Sequence, residues 1–66
     1  MKPDLAAMQL ASEQLADYLG QAAAIALDAC REGAPDSEVF GAHRIVNSYI
    51  ELARGALDSF EEAARG

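Results

Sequence analysis

The sequence has no tryptophan, one cysteine, one histidine, two prolines and only five basic residues, and each shortage excludes something. The single cysteine, Cys30, rules out an internal disulfide, and a structural zinc site needs about four ligands that this composition does not supply. Five lysines and arginines stand against eleven acids, for a net charge of −6. That balance argues against nucleic-acid binding, whose affinity depends on phosphate neutralisation, and equally against docking on an anionic membrane surface. The acids are spread over both halves of the chain, with no acidic tail. Long apolar runs are also missing: the longest, Ala22 to Leu27, is far short of the ~18 residues of a membrane span. The start, Met1-Lys2-Pro3-Asp4, lacks the basic-then-apolar pattern of a signal peptide. A lone thiol suits a reducing compartment, so a cytoplasmic protein is expected.

What is present is helical. The hydrophobic fraction of 52% rests heavily on alanine, the commonest residue, so large apolar side chains must be placed sparingly. Apolar residues recur at ~100° steps. In the first half they are Leu5, Met8, Ala11, Leu15, Leu19, Ala22, Ile25, Ala26 and Ala29, with Gln9, Glu13, Asp17, Gln21, Asp28 and Arg31 opposite. In the second half Val39, Ala42, Ile45, Val46, Tyr49, Ile50, Leu52, Ala53, Ala56, Leu57 and Phe60 oppose Arg44, Asn47, Ser48, Glu51, Arg54, Asp58, Glu62 and Arg65. Pro3 suits a first helical turn and Asp4 the positive end of the helix dipole. Gly33 is expected as a left-handed cap, Pro35 as the block to continuation, and Asp36 as the N-cap of the second helix. The chain is therefore read as one domain: helix 1 over about 3–32, a turn over 33–36, and helix 2 over about 37–65.

The fold class expected is all-α, an antiparallel two-helix hairpin that dimerises into a four-helix bundle. The dimer is expected from the width of the apolar faces. A two-stranded seam needs a narrow stripe, whereas bundle helices carry about three apolar positions per heptad. Ile45 and Leu52 flank one side of helix 2 while Ile50 and Leu57 flank the other, and one neighbouring helix cannot cover both. Domains below about 70–80 residues seldom close a sufficient core alone, so a twofold dimer is the simplest completion. The expected dimer core is Leu15, Leu19, Ile25, Val46, Tyr49, Ile50, Ala53, Leu57 and Phe60. Folding the chain at its turn pairs positions summing to about sixty-nine. Tyr49 then faces Gly20, which either makes room for that ring or is simply a tolerated glycine.

No catalytic, cofactor or metal constellation emerges. His43, with Arg44 and Asn47 near it, has no Ser or Cys placed for activation, since Ser48 lies on another face and Cys30 opposite Val39. Carboxylate-bridged metal bundles use Glu-x-x-His pairs, and no Glu stands three residues before His43; Glu13, Glu51, Glu61 and Glu62 all map to solvent faces. Glu61–Arg65 and Glu51–Arg54 read as surface pairs, and Cys30 as a small buried hydrophobe. The informative residues are large apolar ones off the stripes: Leu10, Leu27 and Phe40. Phe40 fits a hydrophobic staple with Pro35 if Asp36 is the N-cap. It also fits a partner patch with Leu27 near the turn, where Asp28, Asp36 and Glu38 add charge.

The segment from Ile45 to Asp58 (Ile-Val-Asn-Ser-Tyr-Ile-Glu-Leu-Ala-Arg-Gly-Ala-Leu-Asp) resembles the second helix of small two-helix proteins of unknown function found in pseudomonads. The Ala- and Leu-rich stretch from Leu15 to Cys30 resembles their first helix. That resemblance implies no activity and no site residues. The plan also resembles Rop, a plasmid copy-number regulator whose hairpin dimerises into a four-helix bundle, in architecture only, because a basic RNA-binding face is missing. The function expected is non-enzymatic: a small acidic protein, without cofactor or metal, acting on another protein that carries a basic patch. The alternatives are a structural subunit whose apolar face docks into a larger assembly, and a metal- or ligand-binding bundle.

Overall fold

A computed structural model describes residues 2–66. It contains two helices, α1 (Leu5–Ala29) and α2 (Asp36–Arg65), packed against each other as an antiparallel hairpin. α1 starts later than the sequence suggests. Asp4 is its N-cap, in extended conformation, and its carboxylate accepts a 3.1 Å hydrogen bond from the Ala7 amide. Pro3 therefore lies before the helix, because the capping geometry that satisfies an orphan amide requires a non-helical Asp4. The Asp4 amide in turn donates to the Ala63 carbonyl at 2.9 Å, an acceptor in the last turn of α2. One residue thus starts one helix and ties it to the end of the other.

The turn end also differs from expectation. α1 stops at Ala29 with Cys30 as its right-handed C-cap, earlier than the expected Glu32. Gly33 does adopt a positive φ of 84°, the left-handed conformation that glycine takes without steric cost, but it does so inside the connecting turn, past the helix cap. Pro35, not Asp36, is the N-cap of α2: the Glu38 and Val39 amides donate to its carbonyl at 3.0 and 3.2 Å. Asp36 and Glu38 then fall in the first turn and Arg65 in the last, each complementing the dipole. With Pro35 as cap, the fourth helical residue is Val39, so Phe40 is out of register for the staple, and it is 72% exposed.

The register is set by the Asp4–Ala63 bond, so facing positions sum to about sixty-seven. Tyr49 is therefore level with Tyr18, not Gly20. Gly20 is exposed, and a Cβ built there would meet nothing within 4 Å; it does not make room for a ring. The least exposed rows alternate four and three residues apart. In α1 they are Ala11, Leu15, Tyr18, Ala22, Ile25 and Ala29, and in α2 Ala42, Val46, Tyr49, Ala53, Ala56, Phe60 and Ala63. This is the narrow seam of a two-stranded pairing. Among the described residues only Ala11, Ala22, Ala53 and Ala56 are buried, and no large side chain is. Alanines let the two backbones approach closely, and the long, thin outcome measures 53 × 14 × 9 Å. Its radius of gyration, 15.3 Å, exceeds the roughly 11 Å of a compact chain of this length.

Two substitutions test this packing from opposite directions. Gly20→Ala should raise unfolding stability by about 1 kcal/mol, since it adds helix propensity where nothing obstructs a methyl group. Ala53→Leu should lower it by about 1–3 kcal/mol, because the seam has no room for the added atoms. Urea titration followed by circular dichroism reads both, and a destabilising Gly20→Ala would contradict the open space beside that residue.

Candidate interaction surface

The narrow seam leaves two flanks, one on each side of the hairpin. Three clefts establish which residues share a side. Ala26, Cys30, Val39 and His43 line a cleft near the turn together with seam residues Ala29, Ala42 and Val46. On the opposite side, Ala24, Asp28, Glu38, Gly41 and Ile45 line another with Ile25 and Ala42. Farther along that second side, Ala7, Ser59 and Glu62 border a third cleft by Asp4, Ala63 and Gly66. Continuing each side by helical periodicity gives the first Leu5, Leu19, Ile50, Leu57 and Ala64. The second receives Gln14, Gln21, Leu10, Asp17 and Leu52.

The residues expected in a dimer core divide between seam and flank. Leu15, Ile25, Val46, Tyr49 and Phe60 are half-buried on the seam, and Ala53 is fully buried there by α1 of the same chain. Leu19 and Leu57 remain 44% and 42% exposed on the first flank, beside half-buried Ile50. The second flank exposes Leu10, Ile45 and Leu52. A hairpin with an alanine seam thus displays most of its large aliphatic side chains, well beyond the scattered apolar residues that any surface carries.

Leu27 and Phe40 are both exposed, at 74% and 72%, but the fold does not bring them together. Leu27 is two residues from Ile25 and from Ala29, about 200° around the helix from each, so it points away from α2. Phe40 points obliquely away from α1 on the other helix. They occupy opposite outer edges of the turn end. Asp28 and Glu38, by contrast, are brought together by a residue that the sequence pattern assigns only to a polar face. Arg31 Nη1 lies 3.3 Å from an Asp28 carboxylate oxygen and donates to the Asp28 carbonyl at 3.1 Å, while Nη2 donates to Glu38 at 2.5 Å. The hydrogen bond to Glu38, and then that carboxylate's charge, holds the guanidinium above its ordinary pKa. The Asp28–Arg31 spacing is visible in the sequence as an i, i+3 pair. The link across the turn to Glu38 is not, because it depends on where the turn places α2. Asp36 is exposed in the first turn of α2, outside this network.

Cys30 is exposed, not buried as expected, because it stands one residue past seam residue Ala29, about 100° further around the helix. His43 is exposed on the first flank. Glu61 and Arg65 pair at 3.8 Å, and among the described residues Glu51 and Arg54 form no ion pair. Among the described residues no three His, Cys, Asp or Glu side chains cluster as metal ligands would, and no helix is long and apolar enough to cross a membrane. No protein-family model, characterised protein or solved structure matches the chain.

Arg31→Ala should lower the thermal midpoint in dilute buffer and leave it nearly unchanged at high salt, since the ion pairs it removes are exposed and screened. A loss of equal size in both buffers would mean that Arg31 acts through packing.

Proposed function

We propose that this chain is a small, acidic, non-enzymatic interaction protein of the cytoplasm that works as a homodimeric four-helix bundle and binds another protein as regulator, adaptor or inhibitor. The observation that carries the reading is the absence of any fully buried large side chain in the hairpin, together with exposed Leu10, Leu19, Ile45, Leu52 and Leu57 on both flanks. Contiguous apolar surface beyond ordinary scatter marks a protein contact, and a bundle of four helices covers one flank of each hairpin. The chain needs no metal, cofactor or nucleic acid for this role. Its charge of −6 favours a partner with a basic patch through electrostatic steering, such as a transcription regulator or an ATPase of a bacterium or phage. Leu27, Asp28, Asp36, Glu38 and Phe40 at the turn end are the residues proposed to meet it.

A second reading rests on the same exposure: the apolar flanks dock into a larger assembly and the hairpin is a structural subunit. Light scattering of the purified chain separates the two. A monodisperse particle of twice the chain mass is expected for the regulator, whereas a poorly folded or aggregating monomer would favour the subunit. For the partner contact, Phe40→Ala and Leu27→Ala should each weaken capture of partner proteins from lysate by about tenfold, the effect of truncating one anchoring side chain. Unchanged capture by both variants would remove the turn end from the contact.

A further inference from the structure

The two flanks are chemically unlike. On the side of Leu5, Leu19, Ile50 and Leu57, the outer row adds Ala16 and Ala23, and the charged residues are Asp36, Arg54 and Glu61, a net of −1. On the side of Ile45 and Leu52, four carboxylates (Asp17, Asp28, Glu38 and Glu62) stand against the one guanidinium of Arg31, a net of −3. The proposed dimer is self-complementary, so each side would meet its own copy across a twofold axis. Joining the acidic sides would set two groups of −3 against each other while stripping water from them, and like-charge juxtaposition is costly. Joining the other sides sets only −1 against −1, so that cost is smaller. We infer that a second copy of this chain covers the Leu5, Leu19, Ile50 and Leu57 side, leaving the acidic side outward for a different partner.

The exposed area fits one such contact per chain. The hairpin exposes 4996 Å², whereas a compact monomer of this mass exposes roughly 4,000 Å². The excess, roughly 1,000 Å², matches the ~800 Å² that each partner contributes to a stable interface. One flank suffices, and the acidic flank with its Ile25–Ile45 cleft stays accessible. This inference rests on the dimer proposed above and assigns its face.

Sedimentation equilibrium and circular dichroism of three proteins test it: the native chain, a Leu19→Asp/Leu57→Asp variant and an Ile45→Asp/Leu52→Asp variant. The native chain should be a dimer. The Leu19/Leu57 pair should weaken self-association by at least about tenfold, and the Ile45/Leu52 pair should leave it within about threefold. Loss of helix along with the dimer in the first variant alone supports the same assignment, since it means that the hairpin folds on dimerising. The reverse ranking, or equal weakening by both variants, overturns the face while the native dimer still stands. A helical native chain that stays monomeric overturns the dimer itself.

Discussion

Two helices of this length can approach closely only where both carry small residues, and the hairpin depends on that constraint. Ala11 and Ala22 of α1 and Ala53 and Ala56 of α2 are the only buried side chains among the described residues. Close approach gathers half-buried contacts along a long seam and excludes leucine-sized groups from its centre. Leu19, Leu52 and Leu57 are consequently placed on the flanks, where a single neighbour cannot cover them. The elongated shape and the excess exposed area both derive from an alanine seam. Both ends of the seam are closed by short-range polar contacts. Asp4 caps α1 and reaches Ala63 at the open end; Arg31 joins Asp28 to Glu38 at the turn.

The two helices and the turn are legible in the sequence because period and punctuation agree: 3.6-residue spacing on both sides of a Gly-Ala-Pro break. The element ends are harder. Asp36 looks like an N-cap by residue type, yet Pro35 precedes it with a fixed φ and a free carbonyl, and the first amides of α2 bond to that carbonyl. Helix 1 ends before Arg31, because Arg31 bonds back to Asp28 and across to Glu38 from a turn conformation. These shifted ends move the register by two residues, enough to replace Gly20 by Tyr18 opposite Tyr49.

The apolar faces are legible as wide, but not as two surfaces with different roles. Periodicity places Ala53 and Leu57 on one stripe. The structure packs Ala53 on the partner helix within the chain and leaves Leu57 to solvent. Residue size is the signal that separates them: alanine at seam positions, larger aliphatics one row outward. Leu27 and Phe40 lie outside that rule: Leu27 projects from the outer face of α1, and Phe40 stands at the outer edge of the first flank, in the row of Arg54 and Glu61.

The sidedness of the charge comes from topology. A six-residue connection over 30–35 allows only antiparallel pairing, and antiparallel helices bring like flanks together: the row just past the seam in α1 lies beside the corresponding row in α2. Parallel pairing would have mixed them. Leu5 and Leu19 therefore join Ile50 and Leu57, while Asp28 joins Glu38 and Ile45. A chain with net charge −6 repels its own copy at long range, and self-association is favoured only where that repulsion is weakest and apolar burial strongest. The antiparallel turn concentrates both conditions on one side. It leaves the other side apolar at its floor and acidic at its rim, suited to a basic surface that the chain itself does not possess.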